Sequence, residues 1–161
     1  MYRRYLIIGL VFLLLIGAYF VFFDKDKSDK EYEKYYKKLV EKGTYSDSLE
    51  DVSVNIYESS KNGKYIYSIT LDNVSEKQSN VKVLIVDSNA SKDKIDFFPS
   101  FGIIDNKGYA LVPEGETSKD NEKEGLLLTT EYNSKIEYML VYFCGNGEEQ
   151  YIKIKVSDYL A

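Results

Sequence analysis

Hydrophobic positions along this chain fall into three regimes with three different periods. In the first, residues 5–23 read YLIIGLVFLLLIGAYFVFF, 19 positions without a charge. A helix of that length rises about 28 Å, close to the hydrocarbon thickness of a bilayer. The run predicts a transmembrane helix. A cleaved secretory signal fits less well, because Ile16 stands where a small-x-small cleavage site ending at Ala18 needs a small residue.

In the second regime, over residues 24–45, Tyr32, Tyr35, Tyr36, Leu39 and Val40 recur at i, i+3, i+4, i+7 and i+8 within a charged stretch. That is one face of a helix. Ser28 with Glu31 has the form of a capping box and Gly43 supplies a stop, so the spacing predicts a short amphipathic stalk helix from Asp29 to Lys42. Its apolar stripe has two possible uses: pairing with a helix of another protein or a second copy, or lying on the domain that follows. It is too short to define a coiled coil.

From Asp51 the pattern alternates. Val52, Val54 and Ile56 share one face, and the segments KYIYSITLD, NVKVLIVD, FFPSFGII, GYALVP, EGLLLTTEY, SKIEYMLVYFC and EQYIKIKV follow, making eight candidate strands. Turn signals stand at Asn62-Gly63, at Asp105 to Gly108 and at Gly145-Asn146-Gly147. Nothing between the strands is periodic enough for a crossover helix, which favours antiparallel pairing. The expected fold is mainly β, an antiparallel immunoglobulin-like sandwich over residues 46–161.

The segments YIYSITLDNVSEKQSNVKVLIVD, GYALVPEGE and KEGLLLTTE lie within a resemblance covering about two thirds of the chain. Their layout resembles bacterial membrane-tethered immunoglobulin-like modules. In those, a strand ending in Asp-Asn precedes a paired strand, and a Leu-x-Pro-x-Gly turn leads to another. The resemblance implies a sandwich displayed outside the membrane and carries over no functional residues. The chain departs from the antibody-type pattern in having no Trp and no cysteine pair.

Charge then separates the regions. The only arginines, Arg3 and Arg4, form a basic tip over residues 1–4, so 19 lysines face all 26 acids beyond the apolar run, a net of −7. An acidic domain without arginine repels phosphate backbones, and no nucleic-acid partner is expected. Orientation signals conflict. Counting lysines after the span places the domain inside, whereas the Arg pair and the acids interleaved with those lysines favour a signal anchor with the domain outside.

The chain has no histidine and one cysteine, which removes the usual general base, the commonest metal ligand and an internal disulfide. Asp87, Asn89, Ser91 and Asp93 alternate like the first half of a calcium loop, but Lys92 replaces the glycine and Phe98 the final acid. Glu114 with Glu116 and Glu122 with Glu124 are carboxylate pairs that nothing marks as catalytic, and acids in turns usually serve solvation. Cys144 reads as a buried structural thiol, with an intermolecular disulfide as the alternative. No enzyme activity, metal or cofactor is expected.

The remaining candidates are contacts. Phe97, Phe98 and Phe101 flank Pro99 and form either core or an exposed patch. With Tyr32, Tyr35, Tyr36 and Leu39 of the stalk stripe they make up the candidate partner surface. The expected protein is a single-pass cell-membrane protein held in the bilayer by residues 5–23, its outer domain an interaction or assembly module of a bacterial envelope. The expected partner is an envelope protein or a second copy. The alternative is a sensor for a small ligand, glycan or ion.

Overall fold

The computed structural model describes residues 28–89, 98–105 and 107–160. The predicted basic tip and apolar span lie outside the described residues, among which no helix is long and apolar enough to cross a membrane.

The fold is mainly β with antiparallel sheets. Strands β1 (Ser53–Lys61), β2 (Lys64–Asp72) and β7 (Leu126–Tyr132) form one sheet in the order β1-β2-β7. The second contains β3 (Lys82–Asp87), β4 (Ser100–Phe101), β8 (Tyr138–Gly145) and β9 (Glu148–Lys155), in the order β4-β3-β8-β9. Two Asn-Gly pairs set the hairpins. Asn62 and Gly63 (φ 54° and 76°) and Asn146 and Gly147 (φ 53° and 85°) both lie in the left-handed region. The mirror-image two-residue turn that follows the strand twist requires this conformation at both positions. It fixes the registers Lys61↔Lys64 and Gly145↔Glu148.

Two sequence expectations change. FFPSFGII contributes only the two-residue β4, because Pro99 has no N–H to donate and Gly102 turns away at φ 66°. A Cβ on Gly102 would strike the Val81 carbonyl, so the chain can turn there only without a side chain. GYALVP likewise contributes only β5 (Ala110–Leu111), which pairs in parallel with β6 (Glu122–Lys123), a strand not anticipated. The intervening loop reverses at Pro113–Glu116 with Gly115 at φ 80°, and its length permits the parallel return. The turn signal at Asp105 to Gly108 falls between β4 and β5, which lie in different sheets.

Two cores follow from the two sheets. Ile56, Tyr67, Ile69, Leu71 and Leu128 meet Val83, Ile85, Met139, Val141, Phe143, Ile152 and Ile154 between the sheets, face to face as in a sandwich. On the other face of β3 and β8, Leu84, Val86, Leu140 and Tyr142 are covered by a helix, α1 (residues 28–40). Both faces of these central strands are therefore buried, which is why they read as the unbroken apolar runs VLIV and MLVYF while β7 alternates buried and exposed.

Candidate interaction surface

The stalk stripe is built into the fold. Tyr32, Tyr35, Tyr36 and Leu39 are buried against the outer face of the four-stranded sheet, Leu39 completely, while Val40 at the helix end is exposed. Tyr35 tilts on Tyr142 at 5.2 Å between ring centroids, and Tyr36 stacks on Phe98 at 5.9 Å. The Tyr32 hydroxyl donates to the Phe98 carbonyl at 2.9 Å. At the far end the Tyr45 hydroxyl donates to the Leu39 carbonyl at 2.7 Å, satisfying a carbonyl that a helix end leaves without an intrahelical partner.

A charged latch joins α1 to the β8–β9 hairpin. Glu149 accepts from Lys38 of α1 at 2.5 Å, from Tyr142 at 3.2 Å and from Tyr151 at 2.7 Å. Burial opposes ionisation of Glu149, but the hydrogen bonds from Lys38 and Tyr151 outweigh it and hold its pKa below the usual range. Burial also raises the phenols of Tyr142 and Tyr151, with Glu149 adding to the effect. Lys82 donates to the Tyr35 hydroxyl at 2.8 Å and lies 5.1 Å from that ring's centroid. The expected partner surface of Tyr32, Tyr35, Tyr36, Leu39 and Phe98 is thus the packing between helix and sheet. Phe101 is half-buried against Tyr109, with 4.6 Å between centroids, and Phe97 lies outside the described residues.

Other sequence candidates resolve into structural roles. Cys144 is half-buried and packs beside the helix, rather than lying fully in the core. Glu122, read as solvated, is buried. Its Oε1 accepts from Lys77 at 2.5 Å, and its Oε2 accepts from the Ser118 N–H, the Ser118 hydroxyl and the Lys119 N–H at 2.8–3.0 Å. Lys77 and the Ser118 donors hold its pKa down at about 2. Glu124 accepts from the Gly115 N–H and the Thr117 hydroxyl, so these acids shape the loop between β5 and β7. The spacing Ser118-x-x-x-Glu122 was the available signal.

In the calcium-like stretch Asp87 accepts from the Asn89 N–H at 2.9 Å, and Ser91 and Asp93 lie outside the described residues. Among the described residues no three acids or thiols cluster as a metal site. An open groove of about 650 Å³ runs between Thr44, Tyr45 and Asp47 on one side and Tyr138 of β8, Lys153 of β9 and Tyr159 on the other.

Among the described residues, nothing covers the outer face of β1-β2-β7 or pairs with the edge of β7. Cross-strand rows there are Asn55–Thr70–Leu127, Tyr57–Ser68–Thr129 and Ser59–Ile66–Glu131. Its middle carries no charge in a chain that is 29% charged. Glu131 stands at the end, in an ion pair with Lys64. Leu127 is 66% exposed and Tyr57 48%, the combination of charge depletion and an aromatic ring that interface centres share.

The four sheet edges differ. On β1 the Ile56 N–H donates to the Tyr159 carbonyl at 3.0 Å, so the C-terminal tail meets that edge at one residue. On β9 the Ser46 N–H donates to the Tyr151 carbonyl and the Lys153 N–H to the Ser46 carbonyl. β4 is two residues long. The seven-residue β7 bonds only to β2 among the described residues.

No protein-family model and no curated protein matches the chain. Among solved structures, the chain is similar to a GH20 exo-β-N-acetylglucosaminidase from Vibrio harveyi, determined in complex with N-acetylglucosamine. The identity is 13% and the TM-score 0.32, over 70% of this chain and 18% of that one. The chain therefore spans less than a fifth of that enzyme, and a likeness at this score carries no argument about activity.

Proposed function

We propose that this protein is a membrane-anchored, extracytoplasmic interaction or assembly module of a bacterial cell envelope. Residues 5–23 form the anchor and an immunoglobulin-like sandwich the module, with no catalytic centre. The observation that carries the reading is the outer face of β1-β2-β7, uncharged in its middle and bare among the described residues, with its unpaired edge at β7. Soluble domains commonly blunt such edges with charge, proline or a covering segment.

The strand orders β1-β2-β7 and β4-β3-β8-β9 support the immunoglobulin-like assignment, since strands cross between sheets after β2 and again after β7. Docking of α1 supports a mount rather than a loose tether. Residues 24–27 alone separate the apolar run from Ser28, so the start of α1 lies within roughly 18 Å of Phe23. A module so mounted acts close to the bilayer, as an accessory subunit of a secretion or envelope machine does.

The test is mild-detergent affinity purification of the full chain from its native membrane, with protease accessibility scored on intact cells. Membrane retention after carbonate washing and cleavage from outside are expected. Release by carbonate, or protection of the domain in intact cells, would overturn the reading.

A further inference from the structure

We propose that two copies of this chain associate by antiparallel pairing of β7 with β7, joining the two three-stranded sheets into one of six strands. This rests on the membrane-anchored reading above and names the partner. β7 is the long edge strand without any backbone partner beyond its own sheet among the described residues, whereas the tail bonds β1 at Ile56 and the segment at Ser46 bonds β9 beside Ile152.

The edge is self-complementary. A two-fold axis at Thr129 pairs all seven residues of β7, setting Leu127 of one copy opposite Glu131 of the second and Leu128 opposite Thr130. No like charges meet, because the two Glu131 residues fall at opposite ends and each already pairs with Lys64 of its own chain. Thr129 meets Thr129 at the axis, a β-branched cross-strand pair, and Leu127, 66% exposed in one chain, gains cover.

The anchor is compatible with this pairing. Antiparallel strands of one sheet are related by an axis perpendicular to the sheet, which keeps like faces on the same side. In each copy α1 covers the face of the sandwich opposite the bare one, so both helices emerge together. That placement on one side is what two chains anchored in a single bilayer require.

Full-length protein in detergent, with Cys144→Ser as background, tests the pairing by light scattering and disulfide trapping. The expected protein mass is twice the 18.6 kDa of one chain. Thr129→Cys should form a covalent dimer on oxidation, as should Leu127→Cys mixed with Glu131→Cys. Tyr57→Cys, on the same face but two strands away, should not. Leu127→Lys with Thr129→Lys should halve the protein mass while circular dichroism stays unchanged.

A monomeric mass overturns the proposal, as does a dimer that cross-links through Tyr57→Cys and not through β7. Carbonate extraction of the membranes before detergent is added reads the anchor separately. A monomer retained in the membrane refutes the pairing alone, and a released protein refutes the anchored reading.

Discussion

Replacing Leu39 by alanine isolates what holds α1 to the sheet. Leu39 has 0% of its surface exposed and lies in the outer core with Leu84, Leu140 and Tyr142. The substitution removes three carbons, about 2.4 kcal/mol at roughly 0.8 kcal/mol per buried methylene. Incomplete collapse of the cavity brings the expected cost to about 3–4 kcal/mol. The inner core contains no α1 residue, so the loss falls first on helix docking. Against a total stability of roughly 5–15 kcal/mol, undocking then precedes global unfolding. Hydrogen exchange of the α1 amides in the full chain should quicken by roughly 140-fold or more, since each 1.4 kcal/mol is about tenfold. Amides of β2 should change far less. The tyrosine near-ultraviolet circular dichroism contributed by Tyr35, Tyr36 and Tyr142 should weaken at lower denaturant. A shift below about 1 kcal/mol, or equal acceleration in α1 and β2, would refute the separate docking of the helix.

Three further outcomes follow from individual contacts. Tyr67→Phe removes the acceptor of the Ile136 N–H at 3.1 Å and leaves a buried donor unpaired, so denaturant titration should show a loss of about 1–3 kcal/mol; no loss would mean that water replaces the phenol. Acidification should weaken the fold through Glu122: its pKa is depressed from 4.5 to about 2, so its contribution is complete above about pH 4.5 and disappears as pH falls through about 2. In Glu122→Gln that part of the pH dependence should flatten, and an unchanged profile would assign it to other carboxylates. Asn146→Ala should cost more than Asn62→Ala by roughly 1–2 kcal/mol in thermal or denaturant unfolding. Both positions have positive φ, but only the Asn146 side chain also bonds the Ser79 N–H at 2.8 Å and the Lys77 carbonyl at 3.0 Å. Equal costs would show those bonds to be inert.

What was legible locally followed from backbone geometry. The 3.6-residue stripe Tyr32–Leu39 forms a helix, though over residues 28–40 rather than to Lys42. The Asn-Gly pairs at 62–63 and 146–147 form the two tight hairpins, because only residues tolerant of positive φ fit both central positions. FFPSFGII reads as a full strand despite Pro99, and the structure reduces it to two residues. The candidate contacts were less legible, because a side chain on an apolar stripe looks the same whether its cover comes from another molecule or from its own chain. Only the placement of Phe98, Leu84 and Tyr142 against α1 decided for the latter. Glu122 was missed for a related reason: its donors, Lys77 and Ser118, come from separate loops.

The sequence by itself determined the period of each segment, the sites of reversal and the acidic, histidine-free chemistry, since these depend on neighbours one to four residues apart. Tertiary structure alone decided which faces are covered and which edges remain. Leu160 meets Ile56 and Ser46 meets Ile152 across about a hundred residues of chain, whereas among the described residues β7 has no backbone partner beyond β2. Edge pairing depends on which distant backbone arrives beside a strand, and no local period encodes that arrival.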